Sequence, residues 1–245
     1  LVFDLNRMGK AGIENFYVSD SNSLAVSTIK NWRDWPRKKL LLFGPTGSGK
    51  SHLADFWSKE SNAQSLPVSG ICDLDLIDLS NNHALLIENI HQIKDCGIRQ
   101  KIRIEEKLFH LLNFADQYSC YFMMTSSEAV ASWGLKLPDL ISRLNTIAVA
   151  QLSQPDDELL VSILLKQFDD KQIRVSPEFI FFVAKRIKRS FCAIREFVDL
   201  TDIISLKFKC DITIPVASKI LEALDKGDSA ELISKDIRPF FVGSD

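Results

Sequence analysis

Apolar residues in this chain arrive as short unbroken runs separated by amphipathic stretches. Lys39–Phe43, Ala84–Ile87, Cys120–Met124 and Thr146–Val149 are the runs, each too short for a helix and bounded by polar or glycine-rich segments, so they read as buried strands. The residues after Ser51 and those from Glu105 to Gln117 carry apolar side chains at helical spacing, the latter placing Leu108, Leu111, Leu112 and Ala115 on one face. Pro138–Leu144 reads as a short helix with proline in its first turn. Strand–helix alternation of this kind predicts an α/β fold, a parallel sheet flanked by helices.

The texture changes after Leu152. Helices are expected over Pro155–Phe168, Ser176–Lys185, Ser190–Phe208 and Pro215–Leu224, the first two started by Ser153 and by Ser176, whose hydroxyls can cap a helix that has proline in its first turn. The expected organisation is an N-terminal tail (1–12), an α/β domain (13–152), a small all-helical domain (153–226) and a C-terminal tail (227–245).

Composition narrows the class. No apolar stretch approaches the roughly 18 to 20 residues of a membrane span, and no basic region leads into an apolar one at the start, so a cytoplasmic location and no membrane partner are expected. Five cysteines without CxxC spacing (Cys72, Cys96, Cys120, Cys192, Cys210) read as buried thiols. A formal charge of −2 argues against broad adhesion to DNA, and the basic run Lys185–Arg189 reads as a solvated helix face. Histidines 52, 83, 91 and 110 show no metal spacing, and Trp32, Trp35 and Pro36 are expected at a turn over the core's edge.

The candidate chemistry lies between the first strand and the helix after it. Gly44-Pro45-Thr46-Gly47-Ser48-Gly49-Lys50-Ser51 has the form GxxxxGK[ST]. Glycines there allow backbone N–H groups to turn inward around phosphates, the lysine reaches the outer phosphates and the serine hydroxyl can hold Mg²⁺. ADP or ATP with Mg²⁺ is the expected ligand, with His52 next to the loop. In such sites the next core strand ends in acids, the first holding the metal and the second orienting water. Here Glu88 fills the first place, as a metal residue beside Ser51, and Asn89 fills the second with an amide that cannot accept a proton, so slow or absent intrinsic hydrolysis is expected.

Several further stretches carry a resemblance. Glu14–Ala25 is similar to the segment with which DnaA-type proteins wrap adenine, written F-x-V-G-x-S-N-x-L-A, with Ser19 in place of the glycine; Phe16, Tyr17, Val18 and Asn22 are the positions that match. Phe181–Arg186 resembles the lid sequence of that family, and Ile141-Ser142-Arg143-Leu144 its arginine-finger box. The chain thus resembles DnaA-related AAA+ ATPases, which implies a P-loop sheet domain followed by a helical lid. The resemblance also implies a sensor hydroxyl at Thr125 or Ser126. Its lid arginine is matched by Arg195, although gap-free alignment places Cys192 there, three residues earlier.

A DnaA initiator continues past its lid into a helix-turn-helix domain, and no such pattern follows here. The expectation is therefore the regulators built on the AAA+ module alone, the Hda and HdaA type, which Glu105–Asn113 and Leu137–Leu140 also resemble. Their partners are the DnaA initiator and the polymerase sliding clamp, with DNA reached only through the clamp. Leu1, Phe3 and Leu5 would anchor a clamp-binding peptide, and Arg143 would enter the nucleotide site of DnaA; a homodimer is compatible with the same module. The alternative is an ATPase of the DnaC or transposition-helper type that loads a helicase. Asn89 and the charge of −2 speak against it.

Overall fold

The computed structural model describes residues 17–74, 83–208 and 212–227. Five strands form one parallel sheet: β1 (Lys39–Phe43), β2 (Gln64–Pro67), β3 (Ala84–Glu88), β4 (Tyr121–Ser126) and β5 (Ala148–Gln151), in the order β2-β3-β4-β1-β5. β1 is an interior strand between β4 and β5, with Leu42 opposite Thr125 on one side and Ala150 on the other.

Alternation along the strands builds two separate cores. Leu40, Leu42, Leu86 and Met123 face a cluster with α1 (Ser23–Lys30) and α2 (Lys50–Ser61), whereas Leu41, Leu85, Ile87, Phe122 and Met124 face α3 (Ile98–Gln117) and α4 (Pro138–Leu144). Successive residues of a strand point to opposite faces, so a run such as Leu40-Leu41-Leu42 is apolar throughout because helices cover both faces. Trp57 on α2 is fully buried and stacks on Trp35 with ring centroids 5.2 Å apart, while Trp32 meets it edge-on at 6.4 Å. Such pairs add about 0.5–1.5 kcal/mol each beyond their buried area. This cluster pins α2, and with it the end of the phosphate-loop motif, to the sheet.

The helical part comprises α5 (Asp157–Asp170), α6 (Pro177–Ala184), α7 (Phe191–Phe208) and α8 (Ile214–Lys226), around a third core that includes Phe168, Phe179 and Phe197. A parallel sheet flanked by helices, followed by helices alone, is the architecture the patterning predicts; the edge strand β2 is one the apolar runs do not show.

Several local expectations are corrected. Ser153 is exposed and does not cap; the N-cap of α5 is Asp156, whose Oδ1 accepts from the Leu159 N–H at 2.8 Å, so the helix begins two residues later than Pro155. Ser176 does cap α6, accepting from the Phe179 N–H at 3.2 Å. α3 starts seven residues before Glu105, because Ile98 and Ile102 point outward and leave no apolar stripe to read. β5 begins at Ala148, since Thr146 and Ile147 still bond back to Arg143 and Leu144 in the turn that ends α4. Cys120 is buried, but Cys72 and Cys96 are half-buried and Cys192 is exposed on α7; Cys210 lies outside the described residues. The run Lys185–Arg189 is a turn between α6 and α7 and not a helix face, with Lys188 paired to Asp225 at 3.1 Å and Arg189 to Asp157 at 2.6 Å.

Candidate functional site

The residues Gly44–Gly49 leave the C-terminal end of β1 and close on the N-terminus of α2. Gly47 and Gly49 have φ of +76° and +93°, conformations that side chains strain, and they fold the loop back on itself. Gly44 is fixed for another reason: a Cβ there would lie 2.6 Å from the Leu152 carbonyl and 2.9 Å from Ser48 Oγ. Lys50 is buried as the first residue of α2, and its Nζ donates to the Gly44 carbonyl at 2.7 Å and the Pro45 carbonyl at 2.8 Å. Burial holds its ammonium below the ordinary lysine range. Pro45 is half-buried, and Thr46, Ser51 and His52 are exposed at the mouth of the loop. Ser48 is buried, and its Oγ has no hydrogen-bond partner among the described residues. A glycine cradle, a buried lysine and a hydroxyl at the start of a helix form a donor set that fits nucleotide phosphates with their metal ion.

Glu88 ends β3, two strands from β1, and β4 between them ends in Thr125 and Ser126. Glu88 and Asn89 are half-buried. Thr125 is buried; its Oγ1 accepts from the Asn89 N–H at 2.8 Å, which ties the ends of β3 and β4 together. Asn89 has φ of +52°, a conformation asparagine tolerates better than most side chains. Sequence reasoning passed over His91, which shares this edge: its Nε2 lies 2.9 Å from Ser127 Oγ. Burial lowers its pKa, Glu128 opposes this, and the nearby Lys50 ammonium lowers it further. Its place two residues after Asn89 was the only signal.

The helical part closes over the loop. The Phe191 N–H donates to the Gly47 carbonyl at 2.9 Å, and a Cβ on Gly47 would meet Ser190 Cβ at 2.6 Å, so α7 starts directly against the phosphate loop. Arg195, one turn into α7, is exposed; its charge reaches His52 on α2, as does that of Lys166 on α5. Although His52 is exposed as a whole, partial desolvation of its ring lowers its pKa, Asp55 opposes, and these cations add to the lowering. Cys192 is exposed on the same helix start.

The segment resembling an adenine wrap lies between the two parts. Asn22 is buried, with Oδ1 accepting from the Ser19 N–H at 2.9 Å and Nδ2 donating to the Tyr17 carbonyl at 2.8 Å. Tyr17 packs on the helical core, while Val18 is exposed. Asp156 ties the segment to α5, its Oδ2 accepting from the Ser21 N–H at 3.4 Å. Burial works against its ionisation, but these hydrogen bonds outweigh it and hold the carboxyl below its ordinary range. Phe16, and the anchors Leu1, Phe3 and Leu5, lie outside the described residues.

Arg143 is not part of this edge. It stands at the end of α4, just before β5, at the N-terminal edge of the sheet, and is therefore removed from the phosphate loop by a strand's length, about 16 Å. One terminal nitrogen is 3.3 Å from Asp116 Oδ2 on α3, and the guanidinium lies 5.3 Å from the Phe109 ring centre. The loop that leads into α4 is held by Glu105, a buried carboxylate that accepts the Lys136 and Leu137 N–H groups at 2.8 Å each.

A phosphate-loop motif at the end of β1, polar residues ending the next two strands and a helical part against the loop define a P-loop arrangement. No protein-family model matches the chain. Domain III of the Thermotoga maritima replication initiation protein DnaA superposes with a TM-score of 0.72 at 20% identity, over 86% of this chain and 95% of that one. The replication initiator DnaA bound to AMPPCP and single-stranded DNA gives 0.61 at 13% identity, over 92% and 86%. A Thermotoga maritima RuvB mutant gives 0.58 at 18%, over 84% and 68%. In sequence, a Haemophilus influenzae protein described as uncharacterized is 26% identical over 231 residues, 90% of this chain and 97% of that one. The fold is that of a DnaA-like AAA+ module. Among the described residues no helix is long and apolar enough to cross a membrane.

Proposed function

We propose that this chain is a nucleotide-dependent regulator of the DnaA initiator, of the Hda type, that acts on DnaA's nucleotide and not chiefly on its own. ADP or ATP would sit on residues 44–51, with Mg²⁺ near Ser51 and Glu88 and the base beside Tyr17 and Val18. Lys50 would exchange its two carbonyl partners for phosphate oxygens, and Arg195 would face the nucleotide from the lid. With Asn89 where a second acid would orient water, the bound nucleotide sets conformation more than it is consumed.

The observation that carries the reading is the place of Arg143. It lies a strand's length from its own phosphate loop, which supports a role for its permanently charged fork at a site on another molecule. Supplied in trans, such an arginine raises phosphoryl-transfer rates by ~10³–10⁵. The N-terminal residues Leu1, Phe3 and Leu5 would bring the chain to DnaA by docking on the sliding clamp.

The test is ATP hydrolysis by purified DnaA on clamp-loaded DNA, with this chain added. Arg143→Ala is expected to bind ADP normally and to stimulate nothing; retained stimulation overturns the assignment. A clamp pull-down with and without residues 1–5 checks the docking peptide, and equal capture of both forms refutes it.

A further inference from the structure

Around Arg143 the sheet's N-terminal edge carries a second cluster of charges. Lys39, the first residue of β1, is buried to 5% side-chain exposure, and its Nζ donates both to Asp116 Oδ1 and to the Arg37 carbonyl at 3.3 Å. Asp116 offers its other oxygen to Arg143. One carboxylate is thus shared by a buried cation beneath it and a half-exposed cation above it. They line a shallow hollow of about 20 Å³ together with Pro36, Arg37 and Thr146. With two cations on one carboxylate and Arg37 on the lining, the hollow carries a net positive charge, suited to a phosphoryl oxygen of a docked partner.

From this relay we infer that Asp116 is a positioning residue for Arg143: anchored by Lys39, it holds the guanidinium at the rim of the hollow in the rotamer that a partner's nucleotide meets. The inference rests on the trans role of Arg143. Both members of the Asp116–Arg143 pair are about two-fifths exposed, and such pairs add little to stability and compete poorly with a doubly charged phosphoryl group. The pair therefore neither braces the fold nor withholds the arginine. What it removes is rotational freedom, since a free arginine side chain samples many rotamers and loses them on binding. The Phe109 ring limits the guanidinium from one side.

The experiment is a titration of ATP-loaded DnaA with this chain, read as maximal hydrolysis rate and half-saturating concentration. Asp116→Asn is expected to lower the maximal rate about fivefold to tenfold and to move the half-saturating concentration less than about twofold, with Asp116→Glu restoring most of the rate. Because Asp116→Asn leaves Lys39 buried without its carboxylate, Lys39→Met combined with Asp116→Asn removes both charges and is expected to show the same drop with an unchanged melting temperature. A maximal rate equal to or above wild type in the double variant, or a loss confined to half-saturation, overturns the inference while leaving Arg143's role standing. A wild-type chain that stimulates nothing overturns both.

Discussion

Lys50 offers the sharpest separation of stability from ligand binding. Its ammonium is buried and is stabilised by two carbonyl oxygens at 2.7 and 2.8 Å. Burial depresses its pKa, so the folded state disfavours the charged form: the penalty is fully present at neutral pH and is relieved only as pH rises through the folded pKa toward the unfolded value. Lys50→Met removes that penalty and the two hydrogen bonds together, and Pro45 keeps the Ser48 N–H as a donor at 3.2 Å. The melting temperature without nucleotide is therefore expected to stay level or rise slightly. With ADP at a hundredfold excess over Kd, wild type gains about 2.7 kcal/mol, which for a chain of this size is a shift of about 5–11 °C. Loss of charge-assisted contacts to phosphate, together about 3 kcal/mol, weakens binding about a hundredfold. The same ADP concentration then stabilises the variant by only about 0.4 kcal/mol, or about 1 °C. Differential scanning fluorimetry with and without ADP measures both. A variant that melts more than about 5 °C lower without nucleotide, or that keeps the full shift, refutes the reasoning.

Glu105→Ala leaves two amide N–H groups without their buried acceptor and is expected to cost about 2–4 kcal/mol in urea unfolding, with Glu105→Gln costing about half as much; a loss under about 1 kcal/mol for alanine would deny Glu105 its anchoring role. His91 and His52 have folded pKa values lowered mainly by burial, so the stability linked to them is fully present above the unfolded value near 6.5 and is lost as pH falls below it. Unfolding free energy without nucleotide should decline from pH 7 to about 5.5, and less steeply in a His91→Gln, His52→Gln variant; identical slopes refute the linkage.

Strands were legible wherever both faces are covered, because an unbroken apolar run has no other soluble solution, and Lys39–Phe43 and Ala84–Ile87 lie where the runs predict. β2 was not, since Gln64-Ser65-Leu66-Pro67 is a short edge strand that alternates half-buried and exposed residues and ends in proline. The phosphate loop was legible because its glycines answer to backbone geometry, which a local motif records. His91, Ser190 and Asp156 were not, since each reaches the site only through a partner at least 36 positions away on another element, and no spacing encodes that.

The segments Glu105–Asn113 and Leu137–Leu140 show the same limit from the other side. Each was read as a separate similarity, yet the Glu105 carboxylate joins them by holding the chain that enters α4. The start of α4 is therefore fixed to α3 by a buried carboxylate, and at its far end the exposed Asp116–Arg143 pair narrows the arginine's rotamers without bracing the helices. A helix anchored where it begins, carrying an arginine held to few rotamers, offers that side chain in one place relative to the sheet. That rigidity is what an arginine offered to a second molecule requires, because a loosely held fork would spend binding energy on its own ordering before it could act on a phosphoryl group.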